Sequence, residues 1–372
     1  MKILVAGDFC PQRRVSKLFE LGKYEDVLDG VKDVILHSDY AIVNFECPIK
    51  LGGETPNLDR LSLYCTLDGL KAAQYAGFDC VTLANNHFRD WGDGGVKSTL
   101  KSCKDQGIDF VGGGEDLNEA RKILYKDING EKLAIINCCE HEFSLATANR
   151  GGANPLNPVK QYHAIIEARK NADYVIVIVH GGHEHYQLPS PRMQETYRFF
   201  VEAGADGVVN HHQHCMSGYE LYKGKPIFYG IGNFCFDLNT ANSLLWYNGL
   251  MVSFDFNRDG IKFEIIPYIQ CKEKAAVTII PFDDIKKEIE TLNSIITDEQ
   301  KLIKETENYY DTCQSSVANT IEPYTNRYLK ALRRRGLAPN FLTKRWLMYL
   351  CNYTMCESHR DKLEYFFEHN IY

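Results

Sequence analysis

Short runs of hydrophobic residues alternate with helix-like segments over roughly the first 270 residues of the chain. The runs are rich in Val and Ile and apolar on both faces, which is typical of strands buried on both sides of a sheet. This alternation predicts an α/β architecture. The predicted strands are Ile3–Ala6, Ala41–Phe45, Cys80–Leu83, Phe110–Val111, Leu133–Asn137, Tyr174–Val179, Gly207–Val209, Ile227–Tyr229, Leu250–Phe256 and Ile261–Ile266.

Segments with a helical spacing of apolar residues lie between the earlier strands. Three of them are followed by a glycine (Gly77, Gly107 and Gly204), the residue expected just past a helix C-terminus. The later strands follow one another directly, and the turn-forming residues 257–260 predict a hairpin, so we expect a mixed sheet. The predicted helices are Asp68–Ala76, Gly94–Gln106, Leu117–Leu124, Val159–Lys170 and Pro191–Ala203.

The pattern changes after about residue 280, where apolar residues recur at helical spacing among Lys and Glu. We therefore divide the chain into an α/β domain, residues 1–280, and an α-helical C-terminal extension, residues 281–372. Residues 320–372 contain nine Lys or Arg against five Asp or Glu. We interpret the basic run Arg333–Arg335 as a solvated helix face, and a phosphate-facing or partner-facing patch is the alternative.

Composition narrows the class of protein and its location. The net charge of −7 argues against a role in coating nucleic acid, which needs a concentrated positive field. The longest aliphatic run, Tyr174–Val179, is far shorter than the roughly 20 residues of a membrane span. The 13 cysteines form no C-x-x-C pair, and the first residues lack the features of a secretory signal. We therefore expect a cytoplasmic protein with reduced thiols.

Histidines are concentrated in one part of the sequence. Six of the 12 fall between His180 and His214, in two clusters that each follow a predicted strand. In α/β sheets, functional side chains collect beyond the carboxyl ends of the strands. Other predicted strands also end in polar residues of complementary type, namely Asp8, Asn44, Glu46, Asn85, Asn86, His87, Asn233 and Asp237.

Imidazole, carboxylate and amide groups together are typical ligands of Zn²⁺, Mn²⁺ or Fe²⁺, and no cysteine cluster offers a closed structural zinc site. A carboxylate such as Glu46 can bridge two ions, which together activate a water and stabilise the attacking and leaving oxygens. The spacing of His212 and His214 predicts that both lie on one side of an extended segment, one for each ion. His87 can lie outside the ligand set and protonate a leaving group.

Six sequence blocks, in their order along the chain, resemble the calcineurin-like metallophosphatases, and more closely the CapA family of poly-γ-glutamate capsule synthesis proteins. The resemblance covers residues 1 to about 240. It implies a four-layer αββα sandwich of two mixed sheets with a two-metal site at the strand ends. The blocks are Gly7-Asp8, Asn44-Phe45-Glu46-Cys47-Pro48, Ala84-Asn85-Asn86-His87, His180-Gly181-Gly182-His183-Glu184, Asn210-His211-His212-Gln213-His214 and Gly230-Ile231-Gly232-Asn233-Phe234-Cys235-Phe236-Asp237.

The resemblance also implies a ligand set for two divalent ions, Mn, Zn or Fe. Cys10 stands where wider metallophosphatases have a further ligand histidine, and we prefer to interpret it as a packed thiol. Gln213 and Asn210 replace the proline and glycine of the CapA pattern. The implied assignment is Asp8 and His214 for the first ion, Glu46 as the bridge, Asn86, His180 and His212 for the second ion, and His87 as the acid.

A further group is expected to orient these ligands, to fix their loops or to contact substrate. Glu184 follows the first histidine cluster, where it can orient an imidazole. His211 stands directly before the His-x-His pair. The full group is Asn44, Asn85, Glu184, His211, Asn233 and Asp237.

The leading hypothesis is a cytoplasmic dinuclear-metal hydrolase with phosphoesterase-type chemistry, acting in the biosynthesis of a capsule or cell-surface polymer. Its substrate is expected to be an anionic small molecule or polymer, and an amide of such a polymer is also open. The alternative is a non-catalytic or amide-directed accessory protein that binds the polymer or partner proteins of its biosynthesis. The basic extension motivates this alternative. A third possibility is a histidine-rich core without metal.

Overall fold

The computed structural model describes residues 1–53, 55–56, 61–238, 244–257, 260–320 and 327–338, and the single residues 343, 344, 347, 350 and 354. For residues 313–320 it describes the backbone alone. Contacts divide the chain into two compact units, Met1–Thr306 and Glu307–Tyr372. Much of the predicted helical extension beyond residue 338 lies outside the described residues.

The first unit is built on strands from two large sheets and one small pair. The strands are β1 (Lys2–Phe9), β2 (Tyr40–Phe45), β3 (Cys80–Thr82), β4 (Asp109–Val111), β5 (Gly113–Gly114), β6 (Leu124–Ile128), β7 (Glu131–Cys139), β8 (Gly152–Ala153), β9 (Tyr174–His180), β10 (Gly207–His211), β11 (Tyr219–Tyr222), β12 (Lys225–Phe228), β13 (Asn233–Cys235), β14 (Asn248–Asn257), β15 (Gly260–Gln270) and β16 (Val277–Ile279).

Both large sheets are mixed. The first has the order β16-β15-β14-β1-β2-β3-β4, with β13 also paired to β1, and the second has the order β11-β12-β10-β9-β7-β6. The strands β1 to β4 run parallel, whereas β14, β15 and β16 pair antiparallel. The predicted antiparallel portion near the end of the α/β region is therefore confirmed, and β14 pairs with β15 as a hairpin across the residues predicted to form its turn.

Helices cover the outer faces of both sheets. Buried residues form one cluster between the first sheet and α1 to α4, a second between the two sheets, and a third between the second sheet and α6 and α7. These layers make the αββα sandwich that the resemblance implies. The helices are α1 (Arg13–Glu20), α2 (Glu25–Leu36), α3 (Leu67–Ala76), α4 (Gly92–Gln106), α5 (Leu117–Ala120), α6 (Pro158–Asn171), α7 (Pro191–Ala203), α8 (Asp283–Ile296), α9 (Glu299–Thr320) and α10 (Arg327–Arg334).

Most predicted elements are present with shifted ends. Gly77, Gly107 and Gly204 follow their helices with φ of 103°, 67° and 120°, as expected for helix C-termini. The helix predicted over Leu117–Leu124 is wrong beyond Ala120, because Leu124 begins β6 and pairs with β7. The sequence pattern did not reveal α1 or α2.

A close approach between backbones positions the start of the site. The Asp8 backbone N–H donates to the Gly232 carbonyl oxygen at 3.0 Å, and Asp8 lies opposite Asn233 in the β1–β13 pairing. A Cβ atom on Gly7 would lie 2.0 Å from that same carbonyl oxygen. Only glycine fits at this position, and its presence lets β13 bring Asn233 beside Asp8.

The C-terminal helices are distributed between the two units. α8 buries Ile285, Ile289, Leu292 and Ile296 in the first unit. The division at residue 280 remains a prediction about domains. In the second unit, α10 exposes its side chains, including Tyr328 at 65%. No helix within the described ranges is both long and apolar enough to cross a membrane.

Candidate metal centre

Residues from both large sheets meet at one edge of the sandwich. The first sheet supplies a residue of β1 and residues that follow β2 and β3, and the second supplies residues at the ends of β9 and β10. The carboxyl ends of these parallel strands meet here, as their strand-end positions predicted. The six predicted ligands are Asp8, Glu46, Asn86, His180, His212 and His214, none more than 6% exposed.

Glu46 lies between the two sheets and is fully buried. Neither of its carboxylate oxygens has a hydrogen-bond partner within the described part of the chain. Its Oε1 lies 3.5 Å from His180 Nε2 and 3.6 Å from His214 Nε2. Burial, together with the charge of Asp8, raises the pKa of Glu46 well above its ordinary value. A buried carboxylate without donors is costly, and either a bound proton or a cation offsets this cost.

One group of ligand atoms surrounds His180. Its Nε2 lies 3.0 Å from Asn86 Oδ1, 3.1 Å from His212 Nδ1 and 3.5 Å from Glu46 Oε1. One hydrogen on Nε2 cannot satisfy three acceptors, so these atoms fit a cation better than they fit one another. Burial and the neighbouring His212 lower the pKa of His180 well below its ordinary value, which keeps the imidazole in the neutral form that binds metals.

A second group is formed by Asp8, Glu46 and His214, whose ligand atoms all lie within 4.8 Å of one another. Asn233 Nδ2 donates to the carbonyl oxygens of His214 and Trp246, at 3.2 and 3.3 Å. Its Oδ1 therefore accepts from His214 Nδ1, at 2.8 Å. Because Nδ1 carries the hydrogen, the lone pair of His214 Nε2 faces Glu46.

The two groups share Glu46, and each brings together ligand atoms suited to a metal ion. Glu46, His180 and His212 also form a set of ligand atoms within 4.8 Å of one another. Burial raises the pKa of Asp8, but its hydrogen bond with His214 and the charges of nearby histidines hold it below the ordinary value. The donor set is therefore an ionised carboxylate, a shared carboxylate, an amide oxygen and imidazole nitrogens, as borderline divalent metals prefer.

Asn44 links ligands from the two sheets. Its Nδ2 donates to Asp8 Oδ1 at 2.7 Å and lies 3.2 Å from His180 Nδ1. Its Oδ1 accepts from Thr82 Oγ1 at 3.0 Å, which fixes the orientation of the amide. This buried side chain therefore sets the positions of Asp8 and His180 relative to each other.

Three other predicted residues hold backbone in place around the ligands. Asn85 Nδ2 donates to the Phe45 carbonyl oxygen at 2.9 Å, and its Oδ1 accepts from the His87 backbone N–H. His211 Nε2 lies 2.9 Å from the Ala6 carbonyl oxygen, which ties β10 to β1. Asp237 receives both the Nε and the Nη2 of Arg14, at 2.9 and 2.8 Å. Arg14, a residue with the potential to meet an anionic substrate, is thus engaged elsewhere.

His87 forms a pair with a carboxylate that the sequence did not single out. Its Nδ1 lies 2.6 Å from Asp90 Oδ2, which also accepts from the Leu63 backbone N–H at 2.8 Å. Asp90 is completely buried, whereas the side chain of His87 is 14% exposed. In the sequence, only the position of Asp90 three residues after His87 hints at this contact.

The His-x-His segment differs from its predicted conformation. β10 ends at His211, and His212 and His214 have φ of 86° and 54°, so the expectation of an extended segment is wrong. The chain turns here because the His212 backbone N–H faces Asp8 Oδ2, at 3.3 Å. The two rings nevertheless lie on the same side, with centroids 6.0 Å apart.

A residue that the sequence did not indicate contacts this pair. Glu142 follows β7, and its Oε1 lies 3.2 Å from His212 Nε2. Burial raises the pKa of Glu142, but the hydrogen bond and charge of His212 hold it below the ordinary value. Burial lowers the pKa of His212, and the same bond with Glu142 raises it above the ordinary value. Glu184 is exposed, with a ligand atom within 4.8 Å of those of His212 and His214.

The departures from the family pattern are accommodated by hydrogen bonds and packing. Gln213 Nε2 donates to the carbonyl oxygens of Tyr186 and Leu188, which fixes the loop after β9. Asn210 Nδ2 donates to Gly181 and Tyr229 carbonyl oxygens. Cys10 is buried and free, as are the other nine cysteines whose side chains are described, and it belongs to none of the ligand groups found among the described residues.

Comparison with known proteins gives a family. Residues 2–238 match the family described as bacterial capsule synthesis protein PGA_cap. The capsule biosynthesis protein CapA of Bacillus anthracis is 33% identical over 246 residues, covering 64% of this chain and 60% of that protein. The PGA biosynthesis protein CapA of Bacillus subtilis (strain 168) is 32% identical over 266 residues, covering 70% and 69%.

The chain belongs to the bacterial capsule synthesis protein family. It spans 60% of the length of the Bacillus anthracis relative. Among solved structures, it is similar to a phosphatase from Mycoplasma pneumoniae, with 17% identity and a TM-score of 0.44, over 72% of this chain and 93% of that one.

Proposed function

We propose that this protein is a dinuclear-metal-dependent hydrolase with phosphoesterase-type chemistry that acts in capsule or cell-surface polymer biosynthesis. The observation that carries the proposal is Glu46, a buried carboxylate without hydrogen-bond donors that two groups of ligand atoms share. The names of the two Bacillus relatives support the biosynthetic context. A poly-γ-glutamate-like polymer or an anionic small-molecule precursor is the proposed substrate.

In this proposal, Asp8, Glu46 and His214 would hold one ion, and Glu46, Asn86, His180 and His212 would hold the other. Two bound ions of the Mn, Zn or Fe type would supply activation of a water and stabilisation of the attacking and leaving oxygens. His87 donates the proton to the leaving oxygen. Its Nδ1 is engaged by Asp90, so the proton it transfers is the one on Nε2.

The first test is the metal content of the purified protein, measured by elemental analysis beside the double variant His212→Ala/His214→Ala. The exposed His163, which lies on α6, supplies the matched control His163→Ala. We expect about two equivalents of Mn, Zn or Fe in the native chain and in the control, and none in the double variant. An absence of metal in all three after incubation with each ion contradicts the proposal.

The second test is turnover of a generic phosphodiester, followed by amides of glutamate oligomers. The variants Asp8→Ala and His214→Ala are expected to abolish metal-dependent turnover, whereas His163→Ala retains it. Full activity in both ligand variants contradicts the assignment of the site. If the protein cleaves the amides and not the phosphodiester, the proposed phosphoesterase chemistry is wrong, whereas the proposed metal site stands.

A second candidate function is that of an accessory protein that binds the polymer or a biosynthetic partner. It is favoured by residues 327–338, which contain five Lys or Arg and no Asp or Glu. Charge reversal of Arg333, Arg334 and Arg335 to Glu distinguishes the two functions. Loss of polymer or partner binding with no hydrolysis by the native chain favours the accessory role, and unchanged hydrolysis favours the enzyme.

A further inference from the structure

The loop that follows β7 brings a carboxylate to the metal centre from outside the predicted ligand set. Glu142 Oε1 lies 3.2 Å from His212 Nε2, and the Glu142 side chain is 31% exposed while that of His212 is 3% exposed. Glu142 belongs to none of the ligand groups found among the described residues. Its contact is therefore with a ligand and not with the place where the ligand atoms converge.

The loop is anchored at points that belong to the site itself. The Glu140 backbone N–H donates to the His180 carbonyl oxygen at 3.0 Å, and the Glu142 N–H donates to the Glu140 carbonyl oxygen at 2.9 Å. Ser144 Oγ donates to the Asn86 carbonyl oxygen at 2.5 Å and accepts from the Arg89 backbone N–H. The carboxylate of Glu142 is thus held in register with His180 and Asn86, the neighbours of His212.

This contact decides which nitrogen of His212 carries the hydrogen. A carboxylate accepts, so Nε2 donates to Glu142, and Nδ1 keeps a lone pair. Nδ1 is the nitrogen that lies 3.1 Å from His180 Nε2. Imidazoles that bind metals commonly donate their other N–H to a carboxylate, which fixes the ring and its tautomer.

We propose that Glu142 is a positioning residue that holds His212 as its Nε2–H tautomer and thereby sets the affinity of the second ion site. The part of the inference that concerns affinity rests on the proposed function, because it needs a bound metal. The part that concerns the tautomer of His212 rests only on its contact with Glu142. Asn233 performs the corresponding task for His214, from the opposite ring nitrogen. The ion held by Asn86, His180 and His212 with Glu46 is therefore the one that depends on Glu142.

The decisive measurement has two parts, made on the full-length chain and on Glu142→Ala and Glu142→Gln. The first is the tautomer of His212 in metal-free protein at pH 9, from long-range ¹H–¹⁵N correlation spectra assigned with His212→Ala. The second is a Mn²⁺ titration by calorimetry. Glu184→Gln removes an equal charge near the same histidines, and it serves as the control for the tautomer measurement.

We expect His212 to be Nε2–H in the native chain and in Glu184→Gln, and to become a mixture of tautomers in Glu142→Ala. The weaker Mn²⁺ equivalent of Glu142→Ala should lose about 10- to 100-fold in affinity. Glu142→Gln keeps an acceptor oxygen, so it should restore most of the tautomer preference and of the affinity. Restoration by Gln distinguishes positioning from a simple effect of charge.

An unchanged tautomer in Glu142→Ala, or native affinity for both equivalents, overturns the inference. Loss of the tautomer preference in Glu184→Gln as well overturns it too, because the charge alone would then be responsible. If the native chain binds no Mn²⁺, the metal site and the affinity part of the inference both fail. The tautomer measurement then still decides whether Glu142 positions His212.

Discussion

His212 and His214 stand two residues apart, but the protein holds their rings in two different ways. His214 is held by Asn233, an amide that is completely buried on β13. His212 is held by Glu142, a partly exposed carboxylate on a loop. The buried amide is neutral and locked by two carbonyl acceptors, whereas the carboxylate is charged and in reach of solvent. One half of the centre is therefore held by a buried, neutral side chain, and the other half by a charged side chain that solvent reaches.

The largest effect on metal binding and turnover is expected from a substitution of Glu46, which both halves share. Glu46→Gln removes the shared charge, so both halves should lose metal, and turnover of a phosphodiester should fall by about 10³-fold, the equivalent of several kcal/mol of charge stabilisation. Elemental analysis and steady-state kinetics test this. Retention of two equivalents of metal would mean that Glu46 does not join the halves.

A substitution at His87, which is not one of the candidate ligands, distinguishes an effect on catalysis from an effect on metal binding. His87→Asn removes the proposed acid and should lower kcat by about 10²- to 10³-fold, while the metal content stays at two equivalents. A substrate with a leaving group of low pKa needs little protonation, so its turnover should fall much less. An equal loss for good and poor leaving groups would rule out the acid role.

The half of the centre around His214 is best tested at the side-chain amide of Asn233. Asn233→Ala removes three buried hydrogen bonds, one with His214 Nδ1 and two with the carbonyl oxygens of His214 and Trp246, so the free energy of unfolding should fall by about 2 kcal/mol. The affinity of one Mn²⁺ equivalent should fall by about 10- to 100-fold. Urea denaturation and Mn²⁺ titration provide the two readings.

Asn171→Ala is the matched control, because Asn171 makes an exposed hydrogen bond on α6. Its unfolding free energy should change by less than about 0.5 kcal/mol. If Asn233→Ala changed the free energy of unfolding as little as this control does, the buried hydrogen bonds of Asn233 would not hold His214 more firmly than Glu142 holds His212.

The smallest expected effect is on the pH dependence of stability in the metal-free protein. The pKa of Glu46 is raised above 4.5 in the folded state, mainly by burial, so the folded chain binds a proton more tightly than the unfolded chain does. The stability of chelator-treated protein should therefore fall as the pH rises above about 4.5, by at most about 1.4 kcal/mol per pH unit from this group. Glu46→Gln should remove this part of the slope in urea denaturation measured between pH 5 and 8.

The sequence predicted the site residues at strand ends more fully than those on loops. Asp8, Glu46 and His180 follow hydrophobic runs, and strand ends in a parallel sheet converge by geometry. Glu142 follows a strand that continues two residues beyond its predicted end, and no local pattern connects its loop to His212. Asp90 was not predicted, because its contact with His87 is revealed only by the folded loop.

The elements of the fold also differ in how well the sequence predicted them. The apolar runs of the central strands were sufficient for prediction, because burial on both faces leaves a clear pattern. α1 was not predicted, since it buries only Val15 and Phe19 and relies on contacts with the first sheet. The conformation of His212 and His214 was predicted as extended, because side-chain spacing does not reveal a backbone turned by Asp8.

The six candidate ligands are divided equally between the two sheets, and this division has a consequence for the chain as it is synthesised. Asp8, Glu46 and Asn86 emerge from the ribosome long before His180, His212 and His214. His211, which ties the second sheet to β1, also belongs to the late part. An unfinished chain therefore lacks part of the candidate ligand set, and the six residues come together only when the second sheet has docked on the first.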